Sequence, residues 1–176
     1  MKFSLDSKII AFILAVLPAA SAAKESFNLL CYTTTGSFAG AELYYKDGLI
    51  MISNLTAPSN LTSIYFTRDR SLPSAPWTVS PNTTRSPNPP FGGGELVLPG
   101  DDNSTYPDVT VTSNATGSAD LLLYGETVFA HVNGSYKNPF YAAVTDDADI
   151  WQLLWNPAHP NEKNLTPVLL RTSIVV

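Results

Sequence analysis

Beyond the first two dozen residues, apolar positions fall into short runs bounded by Gly, Asn, Asp and Pro, and none keeps a 3.6-residue period. That pattern predicts strands and turns rather than helices. The clearest local element is the pair Ala41–Lys46 and Leu49–Ile52 around Asp47-Gly48. An Asp-Gly dipeptide suits a two-residue hairpin whose central residues both need positive φ. A second hairpin is predicted from Asp120–Tyr124 to Thr127–Val132 across Gly125-Glu126, and Asn133-Gly134 then turns the chain toward Phe140–Val144. Further runs at Phe27–Tyr32, Ile64–Arg68, Glu95–Leu98, Val109–Ser113, Ile150–Trp155 and Val168–Ile174 bring the expected total to eleven strands. That number and spacing predict an all-β chain, a single antiparallel sandwich or barrel-like domain.

Two segments break the pattern. Residues 1–22 carry Lys2 and Lys8, an unbroken apolar run from Ile9 to Leu17, then Pro18 and Ala20-Ser21-Ala22. The run is too short for a bilayer core of about 30 Å, and the small residues suit a signal peptidase. Residues 1–22 are therefore expected to be a cleaved signal peptide, with the β-domain spanning 23–176. The second break is Ser71 to Gly94, rich in proline and ending in three glycines. Proline removes ladder donors and glycine weakens strands, so 71–94 is expected to be a surface excursion outside the core, pinned by Trp77.

Sequons sharpen the address. N-x-[ST] triplets occur at Asn54, Asn60, Asn82, Asn103, Asn114, Asn133 and Asn164. With 12 Asn and 34 Ser plus Thr in 176 residues, chance supplies about two, and it is the excess that makes so short a motif informative. These seven are the expected glycosylation sites of a secreted chain. The only cysteine, Cys31, lies in the apolar run Phe27–Tyr32 and reads as a small buried hydrophobe or as one half of a bridge between chains. Net charge is −5, and the few basic residues are scattered, which argues against nucleic acid and anionic membranes as partners; no second apolar run is long enough to span, so no membrane insertion is expected.

Candidate chemistry is sparse. His131 lies in a predicted strand and His159 in the turn Asn156–Pro160. The chain has no H-E-x-x-H and no G-x-S-x-G, so no catalytic residue, metal or cofactor is assigned. Asp146-Asp147-x-Asp149 and Asp101-Asp102 offer carboxylates for a glycosidase or for Ca²⁺, but Asp is common in turns for local reasons. Trp151 and Trp155 share a strand face with Leu153, a pattern expected of core. With Trp77 they are also the aromatic residues available to stack on a sugar.

Leu43-Tyr-Tyr-Lys-Asp-Gly-Leu49 is similar to the L-x-L-K-D-G-x-L opening of the C-terminal domain in fungal Pir-type cell-wall mannoproteins. Val109–Leu121 through Thr127-Val-Phe129 resembles that domain's strand, S-N-G-S-L turn and T-x-F. Phe140-Tyr141, Trp151–Trp155 and Thr166-Pro-Val-Leu-Leu170 resemble its closing elements, and phialide-type small secreted proteins share the layout. The resemblance implies a compact β-domain of a fungal wall or secretome, structural or interactive and not catalytic, with wall polysaccharide or another wall protein as partner. The Gln-containing repeat that attaches those mannoproteins to glucan has no counterpart here. Other readings are a secreted effector acting on a host, a carbohydrate-binding module and a glycoside hydrolase.

Overall fold

In a computed structural model, residues 24–33, 38–56, 58–99, 108–113, 120–132, 134–155 and 164–174 are described. The expected signal peptide, the sequons Asn103, Asn114 and Asn133, and Asp101, Asp102 and His159 lie outside them. Among the described residues thirteen strands form: β1 (Lys24–Tyr32), β2 (Ala39–Lys46), β3 (Leu49–Ser53), β4 (Thr62–Asp69), β5 (Thr78–Pro81), β6 (Gly94–Val97), β7 (Thr110–Thr112), β8 (Leu121–Tyr124), β9 (Thr127–Val132), β10 (Ser135–Lys137), β11 (Phe140–Val144), β12 (Ile150–Trp155) and β13 (Leu165–Ile174). All belong to one sheet and all pairings are antiparallel, so the chain is all-β.

The sheet closes on itself. One circuit runs β1–β2–β3–β12–β11–β13 and returns to β1. A second runs β2–β4–β5–β6–β7–β3, so both share the β2–β3 hairpin. They part where β1 divides its partners, pairing β4 through Lys24–Phe27 and β2 through Leu30–Tyr32. Closure leaves few open strand edges, which otherwise invite pairing with another chain.

Period-two alternation fills the interior. Phe27, Leu29 and Cys31 of β1, Leu43 of β2, Ile50 and Ile52 of β3, and Ile64 and Phe66 of β4 all join one apolar core. The β2–β3 turn is as expected: Asp47 has φ 50° and Gly48 φ 89°, with Lys46 opposite Leu49. The outer face of that hairpin carries a smaller cluster of Tyr44, Met51, Leu61 and Ile150.

Two strands were not expected, and one corrects the reading of residues 71–94. β5 lies inside that segment, with Trp77 and Val79 fully buried in the core. Its flanks remain at the surface, so the segment is an excursion interrupted by a core strand. Proline is tolerated because Pro81 ends β5, beyond the last residues that pair with β6. The closing glycines have a steric role as well: a Cβ on Gly94 would stand 2.7 Å from the Thr112 carbonyl oxygen. The other extra strand, β10, starts just after Gly134 and pairs antiparallel with β9, so the chain makes one more hairpin strand before it reaches β11.

Candidate functional site

The three tryptophans do not make a binding platform. Trp77 packs edge-on against Phe27 at 5.0 Å and Trp155 against Phe140 at 5.2 Å, both buried. Neither ring reaches a ligand without unpacking the core, which corrects their candidacy as stacking residues. Trp151 is half-buried, its ring 4.7 Å from Phe38. The Trp151-Leu153-Trp155 face is core-facing, as the alternation predicts.

The acidic and histidine candidates have local structural work. The Asp147 carboxylate accepts the Asp149 backbone N–H, and the Thr145 hydroxyl accepts that of Asp147, which closes the turn into β12. Among the described residues, no group of three or more His, Cys, Asp or Glu side chains could hold a metal ion. His131 is exposed and rests against Tyr136, 5.1 Å between ring centres. Cys31 is fully enclosed between β2 and β13, and burial pushes its thiol pKa up, so the small-hydrophobe reading fits its place.

A cleft of about 500 Å³ lies beside the outer face of the β2–β3 hairpin. One wall is residues 58–63, where the loop after β3 runs into β4; the other is 85–90, in the segment between β5 and β6. Pro58 and Leu61 are buried and clamp the loop, and the Leu61 N–H donates to the Pro58 carbonyl to form a turn with Ser59-Asn60 at its tip. The chain enters the opposite wall from Asn82, which lies just outside the cleft and whose side-chain oxygen accepts the N–H groups of Thr84 and Arg85.

Three side chains knit the walls together. Glu42 and Tyr44 alternate onto the same outer face of β2. The Tyr44 hydroxyl donates toward the Glu42 carboxylate and the Leu55 carbonyl, each at 2.9 Å. Arg85 donates to Glu42 at 2.7 Å and to the Thr56 carbonyl at 2.6 Å. Burial and then the Glu42 carboxylate hold the Tyr44 hydroxyl pKa up at about 12, so it stays a donor at ordinary pH. Burial is the largest single influence on Arg85 and works against its charge, but hydrogen bonding and charge attraction to Glu42, joined by Tyr44, together outweigh it and raise the guanidinium pKa. Opposite charges cancel, and the lining offers hydroxyls, amides and proline rings without a free ion. Among the described residues, no general acid–base pair or activated nucleophile lines this space. Sequence reasoning missed the network because Arg85 comes from a segment more than 40 residues away. The alternation of Glu42 and Tyr44 was its only local sign.

A second surface is aromatic. On the outer face of β8–β10, Leu122 lies opposite Phe129 and His131 opposite Tyr136, with Tyr124 at the turn. Tyr124 and Tyr136 are 78% and 60% exposed, high for large rings. Among the described residues, no helix is long and apolar enough to cross a membrane.

Of the expected glycosylation sites, Asn54, Asn60 and Asn164 are exposed and Asn82 is half-exposed, and all four lie outside strands. Comparison of the chain with known protein families, curated proteins and solved structures finds no match in any of the three.

Proposed function

We propose that this chain is a secreted, N-glycosylated protein with a structural or interaction role in a fungal cell wall, and no catalytic activity of its own. The observation that carries the reading is the placement of the sequons. Strands hold most of the described chain, yet the four described sequon asparagines all fall between strands, at positions a glycan can occupy without breaking the sheet. The fungal wall as destination rests on the resemblance to Pir-type mannoproteins. The test is to express the chain with its own leader in a secreting fungal host and fractionate the culture. Glycosidase-sensitive protein in the insoluble wall is the expected result. Unglycosylated protein inside the cell would overturn the secretory reading, and protein confined to the medium would overturn the wall role.

A second reading, carbohydrate binding, is favoured by the exposed aromatic face of β8–β10 and not by the tryptophans. Tyr and His present flat rings with polar tips, a chemistry suited to the apolar and hydroxyl faces of a sugar. Tyr124→Ala with Tyr136→Ala removes exposed rings at little cost to the core. It should release the protein from insoluble glucan or chitin, and retention equal to the parent's would exclude this face.

A further inference from the structure

We propose that the cleft between residues 58–63 and 85–90 is the seat of the glycan that Asn60 carries, and that the docked sugar clamps the loop over the outer face of β2–β3. This rests on the reading of the chain as a secreted glycoprotein. Of the described sequon asparagines, Asn60 lines the cleft, and Asn54, Asn82 and Asn164 do not. It sits at the tip of the Pro58–Leu61 turn, between two buried anchors, so its attachment point is fixed relative to the opposite wall.

The lining fits a neutral sugar. Among the described residues, the side chains of Ser59, Thr62 and Asn88 make no hydrogen bond within the protein, leaving polar groups free to face the cleft. Arg85 is committed to Glu42 and to the Thr56 carbonyl, so among the described lining residues no unpaired charge awaits an ion. Pro87, Pro89 and Pro90 supply C–H surface for the apolar faces of sugar rings. A volume of about 500 Å³ falls within the range of small-ligand sites and holds the first sugars of a glycan.

A tethered occupant also answers an energetic difficulty. Among the described residues the cleft presents no exposed aromatic ring, since Tyr44 is buried, so its grip on a free sugar is weak. A free ligand must also overcome several kcal/mol of lost translational and rotational freedom, about 4 or more. A glycan joined to the lining residue meets the cleft at an effective concentration of order millimolar, and weak contacts suffice.

The experiment uses the full chain secreted from a eukaryotic host. An endoglycosidase that cuts between the first two core sugars is applied to native and then to denatured protein, with release read site by site from peptide masses. Native release at Asn60 should be about tenfold slower than at Asn54 and Asn164, the protection given by docking worth about 1.4 kcal/mol. After denaturation the three rates should converge. Magnetisation transfer in NMR between the innermost sugar and the Pro89 ring should accompany the protection. Asn60 left unoccupied, native release as fast as at Asn54, or no contact to Pro89 would each overturn the seat while leaving the secreted reading intact. Absence of sugar at every sequon would overturn both.

Discussion

At the scale of single residues, what separates this structure from its sequence is which polar atoms are left inside. Tyr44 illustrates the point: in sequence it is one of eight tyrosines, and in the fold it is 1% exposed with its hydroxyl bonded across two segments. Replacing it with Phe keeps the ring and strands its partners. An acceptor left without a donor in a partly buried site costs about 1–3 kcal/mol, and the Leu55 carbonyl loses the donor that ties the loop down. Tyr44→Phe should therefore lower the urea midpoint by a corresponding amount and speed proteolysis within residues 54–61. A midpoint equal to the parent's would mean that water replaces the hydroxyl. The Arg85–Glu42 pair beside it is about one-third exposed on both sides, and such pairs contribute about 1 kcal/mol or less. The tyrosine is thus the stronger tie.

At the scale of elements, legibility followed the range of the cause. Both hairpins were readable because their turns are decided by adjacent residues, Asp47-Gly48 and Gly125-Glu126. β5 was not readable. Its prolines and glycines speak against a strand, and what overrides them is burial of Trp77 and Val79 against residues distant in sequence, Phe27 among them. β10 was missed because all three of its residues are exposed and nothing in them alternates toward a core. The cleft was hidden for the same reason as β5, since its walls meet only when the 82–90 segment folds back on the β2–β3 hairpin. The revised reading of 71–94 makes a definite forecast. On a surface excursion, Trp77→Ala would be nearly neutral. In the core it should cost about 3–5 kcal/mol, like other large aromatic truncations. Gly94→Ala should cost about 1–3 kcal/mol through overpacking against Thr112 and Val111. Denaturant unfolding of the two variants measures both, and a neutral Trp77→Ala would return the segment to the surface.

At the scale of the whole molecule, the sheet closes where β1 divides its pairing, and the charges at that junction make closure sensitive to acid. Glu25 pairs across the β1–β4 ladder with Arg68 at 2.7 Å and reaches Arg70 at 2.8 Å. Its carboxyl pKa is held below its ordinary value of 4.5, first by hydrogen bonding to Arg70; desolvation, next in size, opposes this, and hydrogen bonding and charge attraction to Arg68 add to the lowering. Asp69, at the end of β4, is likewise held low by the Ser71 hydroxyl and backbone N–H. When a carboxyl has a lower pKa folded than unfolded, the unfolded chain binds the extra proton first. Stability is then complete above the unfolded pKa and is lost as pH falls through the folded one. Asp108 opposes this, because burial raises its pKa despite the Gln152 hydrogen bond, so its ionisation weakens the fold as pH rises. Among the described residues, two lowered carboxyls against one raised predict a melting temperature that declines on acidification below about pH 4.5, the ordinary Glu value. Glu25→Gln separates the contributions. It should be less stable than the parent at neutral pH, where the parent has both arginine contacts, and should approach it in acid, where Glu25 is protonated and equally uncharged. Melting curves that stay parallel across the whole range would place the acid sensitivity elsewhere and leave the β1–β4 junction held by its ladder and by Phe27 alone.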